Sequence, residues 1–126
     1  MDWSDIPPGA TACIKLIDTT SRIGNILAST FVTPAIDDFE YMSQCPAWSF
    51  LIESASGQKV LFDLGVPVKW EEMAPRITEP LKARGWEITV EKEVPEIVGE
   101  QGIRTTDINA VIWRWVGHNF ASFTVC

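Results

Sequence analysis

The chain has 126 residues, of which 46% are hydrophobic and 21% charged, and it carries a formal net charge of −7. That length holds one small domain, and six Trp and six Phe argue against disorder over most of it. The acidic balance argues against a nucleic-acid partner, because phosphate binding runs on Lys and Arg, and no basic stripe is present. No run approaches the ~18 uninterrupted apolar residues of a membrane span. The start, Met1-Asp2-Trp3-Ser4-Asp5-Ile6-Pro7-Pro8, is acidic where a secretory signal would be basic. A cytoplasmic protein is expected. Cys13, Cys45 and Cys126 are widely spaced and form no Cys-x-x-Cys, so neither a disulfide framework nor a structural zinc site is expected.

Residues 1–10 read as a polar lead-in that ends in the turn signal Pro7-Pro8-Gly9. From Thr11 to Ile17 the chain alternates, with Ala12, Ile14 and Leu16 on one face and Cys13, Lys15 and Ile17 on the other. That pattern predicts a strand with one wetter side, and Asp18-Thr19-Thr20-Ser21 predicts a turn after it. Residues 24–44 are apolar without a sustained period and read as a long loop holding one short ordered piece. Next come Trp48-Ser49-Phe50-Leu51-Ile52-Glu53, the turn Ser54-Ala55-Ser56-Gly57-Gln58 and Lys59-Val60-Leu61-Phe62-Asp63, a hairpin. Its nearly continuous apolar runs predict burial on both faces.

Residues 68–84 are weakly helical and interrupted by Pro75 and Pro80, with a stop at Lys82-Ala83-Arg84-Gly85. Strict alternation from Trp86 to Glu91 predicts a strand. Pro95 to Gln101 suits a two-turn helix ended by Gly102. Ala110 to Trp115 predicts a last strand. The order is β, β-hairpin, α, β, α, β, without repeat, low-complexity tract or linker.

Few residues suggest chemistry. His118 is the sole histidine, and a catalytic zinc ordinarily takes three protein ligands. It has no flanking histidine or carboxylate at ligand spacing, so it is only a remote metal candidate and reads first as a solvent-facing tail residue. Asp63 closes an apolar strand just ahead of Gly65. That is a common place for a site residue in sheet proteins and equally for a plain turn aspartate. Asp37-Asp38 reads as a solvated loop pair, and no other carboxylates pair at a spacing that demands acid–base work. No phosphate-binding glycine loop and no Gly-x-Ser-x-Gly is present.

The order of elements, together with two stretches, resembles the metallo-β-lactamase superfamily, and its lactonase-like members in particular. Trp48–Glu53 and Lys59-Val60-Leu61-Phe62-Asp63-Leu64-Gly65 resemble the opening hairpin, which ends in Asp-x-Gly. Gly102-Ile103-Arg104-Thr105-Thr106-Asp107-Ile108-Asn109-Ala110-Val111-Ile112-Trp113 resembles the strand leading to the metal loop. The resemblance runs from about residue 11 to 113. It implies an α+β fold, a partial αββα sandwich made of the first mixed β-sheet with flanking helices. It also implies residues 1–113 as the N-terminal part of such a domain and 114–126 as a divergent tail.

In that family the strand is followed by Ser/Thr-His-x-His-x-Asp-His. These ligands hold zinc, which lowers the pKa of a bound water to near ~7 and so makes a hydroxide nucleophile. Here the corresponding place reads Arg114-Trp115-Val116-Gly117-His118-Asn119-Phe120, and the motif is absent. Only Asp63 carries over, as a residue that supports the metal loop without ligating. The resemblance therefore implies a truncated relative of zinc-dependent hydrolases of lactone, ester or lactam bonds, inactive and without a cofactor of its own. A shifted reading frame, a retained intron or a truncated gene model would account for the divergence after Trp113. The alternative is a small non-catalytic binding or dimerisation module. On either reading an exposed apolar sheet face is expected to drive self-association.

Overall fold

The computed structural model describes Gly9 and residues 11–112. His118, Cys126 and the 114–126 tail lie outside the described residues. A five-stranded mixed sheet runs in the order β6-β1-β4-β5-β7, with β1 at Ala12–Gly24, β4 at Cys45–Ser54, β5 at Lys59–Phe62, β6 at Glu87–Thr89 and β7 at Ala110–Ile112. The β5–β7 pair is parallel and the other pairs are antiparallel. Two helices flank the sheet, α1 at Pro75–Ala83 and α2 at Val94–Glu100. This is the α+β arrangement expected, one part of an αββα sandwich. No helix among the described residues is long and apolar enough to cross a membrane.

The hairpin forms where the alternation places it. Phe50 faces Phe62, Leu51 faces Leu61 and Ile52 faces Val60. The turn closes through Ser54 N–H to Gln58 O at 2.9 Å and Gly57 N–H to Ser54 O at 2.9 Å. Burial on both faces is not what results. Leu51 and Leu61 are buried against Val94 and Val98 of α2, and Ile17, Leu64, Ile103, Ile108 and Val111 pack around them. The other face carries Phe50, Ile52, Val60, Phe62, Ala110 and Ile112 half-buried, while Ile14, Leu16 and Trp48 are exposed. Apolar runs register how greasy a strand is, and among the described residues the α2 helix covers the Leu51–Leu61 side.

The first strand is longer than the alternation of residues 11–17 indicates. It continues to Gly24, and Asp18-Thr19-Thr20-Ser21 is a bulge within it, where the register to β4 shifts. The turn chemistry is local and real. Thr20 adopts φ +58°, and its N–H donates to Asp18 Oδ1 at 2.9 Å. The pairing resumes beyond the bulge, so the strand bends without reversing. Thr20 Oγ1 then accepts the N–H groups of Glu91 and Lys92 at 3.0 and 2.8 Å, tying the bulge to the loop before α2.

Residues 25–44 are more ordered than a loop with one short piece. They make a two-stranded excursion, β2 at Ile26–Leu27 against β3 at Tyr41–Met42, with a 3-10 turn at Ala28–Thr30. Ala28 N–H donates to Glu40 O at 2.7 Å. Gly24 permits the base to close, because a Cβ there would sit 2.6 Å from Ser43 O. Pro75 opens α1, where a missing N–H is harmless. The strand expected from Trp86 to Glu91 shortens to Glu87–Thr89, and the last strand is described only to Ile112.

Candidate functional site

At one end of the sheet, the turn 63–66 follows β5 directly. Asp63 lies there with φ +65° and Gly65 with φ +64°. Asp63 Oδ1 accepts the N–H groups of Leu64 at 2.8 Å and Gly65 at 3.2 Å, so the carboxylate caps its own turn. Asp63 N–H donates to Ile112 O at 2.7 Å, which fastens the turn to the last described residue of β7. The geometry shows the turn reading of Asp63. It is a turn aspartate, and it stands beside Ile112, the last described residue of β7.

Three hydroxyls hold this turn from below, each essentially inaccessible: Thr19 at 1% exposure, Ser21 at 0% and Ser49 at 0%. Ser49 Oγ lies 2.6 Å from Asp63 O and 3.2 Å from Phe62 O, donating to these carbonyls. Thr19 Oγ1 donates to Ala47 O at 2.8 Å. Ser21 Oγ accepts Val66 N–H at 3.3 Å and lies 3.0 Å from Thr19 Oγ1. A buried hydroxyl without a partner would be costly, so these bonds lock β1, β4 and the turn into one register. Thr19 also presses on Gly65, where a Cβ would meet its side chain at 2.7 to 2.9 Å.

Sequence reasoning missed this cluster. Its signal was present in Ser49, a small hydroxyl between Trp48 and Phe50 at the position that alternation puts beside Leu51 on the covered face. Thr19 and Ser21 were hidden in what read as a turn.

The ion pairs lie elsewhere. Arg22 holds Asp18 through two bonds of 2.9 and 2.7 Å, and this guanidinium keeps the Asp18 carboxyl below its ordinary pKa. Arg104 acts likewise on Asp107 within the 105–107 turn. Lys92 pairs with Glu100, which raises the lysine pKa. Asp37 and Asp38 are exposed in the excursion.

Among the described residues no group of three or more His, Cys, Asp or Glu is placed to hold a metal ion. The described donors therefore do not fit a zinc site, and no zinc-dependent step is assigned to them. The other candidate ligand, His118, lies outside the described residues.

No protein-family model matches the chain, and no solved structure matches it. Curated proteins do. The chain is 33% identical over 109 residues to Gamma-lactamase FDB1 of Fusarium pseudograminearum (strain CS3096), covering 82% of this chain and 26% of that protein. It is 39% identical over 113 residues to Metallo-hydrolase mfmC of Annulohypoxylon moriforme, covering 86% of this chain and 29% of that protein. It is also 31% identical over 114 residues to Cytochrome P450 monooxygenase mpaDE of Penicillium roqueforti (strain FM164), covering 86% of this chain and 13% of that protein. The chain thus spans between about an eighth and about a third of the length of these relatives. The matches named gamma-lactamase and metallo-hydrolase support assigning the chain to a metallo-β-lactamase-like superfamily.

Proposed function

We propose that this chain is the first-sheet part of a zinc-dependent hydrolase of lactone, ester or lactam bonds, and that the 126-residue chain is by itself not catalytic. The similarity to a gamma-lactamase and a metallo-hydrolase over more than four-fifths of the chain carries the reading. The composition supports the second half of it, because one histidine cannot supply Ser/Thr-His-x-His-x-Asp-His. In this reading Asp63 supports the segment that follows β7, through the bond from its N–H to Ile112 O and the hydroxyls that brace its turn. Residues 1–113 are the family-like part and 114–126 a divergent tail.

The test is elemental analysis of zinc-supplemented, desalted protein, paired with a hydrolysis assay on simple lactones, esters and lactams. We expect no stoichiometric zinc and no turnover above buffer. Zinc retained at one ion per chain, or metal-dependent hydrolysis, would overturn the reading. Sequencing the transcript addresses the tail: an uninterrupted, correctly spliced message ending at Cys126 would remove a frame shift or retained intron as its origin. A second reading, a non-catalytic binding or dimerisation module, is favoured by the sheet face on which, among the described residues, Ile14 and Leu16 are exposed.

A further inference from the structure

We propose that Thr20 is a positioning residue for the Asp63 turn, acting through the 91–93 loop and the side chain of Glu93. The bulge of β1 thereby grips the segment that follows Asp63 from two sides and ties it to the start of α2. The inference rests on the reading that Asp63 supports the segment after β7, and it says what holds Asp63 in place.

The run Thr19-Thr20-Ser21 puts hydroxyls on three consecutive residues. Thr19 and Ser21 are buried beneath the turn, where Ser21 Oγ accepts Val66 N–H at 3.3 Å. Thr20 serves a different stretch. Its Oγ1 donates to Lys92 O at 3.1 Å and accepts the N–H groups of Glu91 and Lys92 at 3.0 and 2.8 Å. One donated and two accepted bonds fill the capacity of a hydroxyl. A single side chain thus fixes the backbone at both 91 and 92.

Glu93 follows, and it carries the hold back to the turn. It is the N-cap residue of α2, yet its side chain makes no capping bond to that helix. Its Oε1 instead accepts Val68 N–H at 3.1 Å. A carboxylate accepting from an N–H makes a stronger bond than a neutral acceptor does. Pro67, its φ fixed by the ring, joins the two held residues Val66 and Val68. The bonds close a ring from Thr20 through Glu93 and Val68 to Val66 and Ser21. The ring meets the turn one residue past Gly65, whose N–H Asp63 Oδ1 accepts at 3.2 Å.

The backbone at Thr20 points the same way. Its φ is +58°, a conformation that glycine adopts freely and a β-branched residue rarely does. Glycine would turn the chain there at less cost, and what it lacks is the hydroxyl. Such a conformation persists where its surroundings over-determine it, and the three bonds to 91–92 do so.

The test is backbone ¹⁵N relaxation of the full 126-residue chain, read as order parameters at Gly65, Val66 and Val68. A rigid backbone gives ~0.85 and a flexible one less than ~0.6. Order parameters describe the folded molecule, so a mere loss of global stability does not move them. The wild-type chain should be rigid at all three positions. Thr20→Gly, which relieves the backbone and removes the hydroxyl, should bring Val68 below ~0.6 and Gly65 to about 0.7, with Leu51 and Leu61 unmoved. Thr20→Ser keeps the hydroxyl and should match the wild type. Glu93→Ala, at an exposed position, should loosen Val68 and Gly65 alike while 91 and 92 stay rigid, and Glu93→Gln should restore them. The Glu93 pair decides the matter should Thr20→Gly fail to fold. The proposal is overturned by a wild-type segment already flexible at Val68, or by Thr20→Gly leaving Gly65 and Val68 rigid. It is equally overturned if Thr20→Ser loosens them as glycine does, or if Glu93→Ala leaves Gly65 unmoved. Zinc content and turnover test the reading beneath it: retained zinc would sink that reading and leave these order parameters as they are.

Discussion

Leu51 and Leu16 occupy adjacent strands of one sheet, four to five ångströms apart in the pairing direction, yet Leu51 is 2% exposed and Leu16 is 58% exposed. Leu51 points to the side where Val94 and Val98 of α2 close over the strands. Leu16 points to the side where Phe50, its partner across the pair, is half-buried and no described helix packs. The same residue type in the same sheet thus contributes to stability on one face and to surface chemistry on the other. What separates them is a short helix contributed from about forty residues further along the chain than Leu51.

The largest expected effect follows from that contrast. Leu51→Ala should cost about 2–5 kcal/mol, the loss of a core leucine plus its cavity. Leu16→Ala should stay within about 0.5 kcal/mol. Urea unfolding of both variants, at a concentration where the chain is monomeric, checks the pair. Equal losses would mean that both faces are covered, and the distinction drawn between them would fall.

The covered face can be probed at its rim, where packing meets the turn. Gly65→Ala places a Cβ in a left-handed conformation and against Thr19 at 2.7 to 2.9 Å. The backbone term of roughly 1–2 kcal/mol and an overpacking term of roughly 1–3 kcal/mol point to a loss of about 2–5 kcal/mol. The thermal midpoint should fall accordingly. A loss under about 0.5 kcal/mol would show that Thr19 moves aside at no cost and that the hydroxyl cluster does not lock the turn.

The smallest effect belongs to the border of the open face. Arg22 depresses the Asp18 carboxyl below its ordinary value of 3.8. A carboxyl depressed on folding stabilises the folded state above that ordinary value, and the stabilisation is lost as pH falls below it, through the folded-state pKa. Arg22→Gln should therefore lower the melting temperature slightly at pH 7, by no more than an exposed pair supplies, and flatten its decline below pH 3.8 to the same extent. Asp107, held down by Arg104, contributes in the same sense and leaves a residual slope. An unaltered acid profile in Arg22→Gln would mean that the bidentate pair is not maintained in solution.

Much of the fold was legible in local pattern. The hairpin, the α2 segment between Pro95 and Gly102, and the strand at Ala110 follow from alternation, proline and glycine, because those signals act within a few residues. Two readings failed for the same reason. Asp18–Ser21 has the composition of a turn, but β4 continues pairing beyond it and converts the turn into a bulge. The excursion at 25–44 has no period, but Gly24 approaching Ser43 and Ala28 bonding Glu40 close its base. In both places a partner remote in sequence decided the outcome. Asp63 was legible as a candidate, whereas the hydroxyls beneath it were not, since Thr19, Ser21 and Ser49 become a cluster only when β1 and β4 pair.

The sequence by itself determined the five strands of the main sheet, the alternation of two faces along them and the absence of Ser/Thr-His-x-His-x-Asp-His, since each is a property of neighbouring residues. The tertiary structure alone decided which face is covered, that Ser49 and Ser21 have hydroxyl work to do at the 63–66 turn, and that Ile14 and Leu16 are left outward. Alternation creates two equivalent sides, and only the placement of a distant apolar helix over one of them breaks the equivalence.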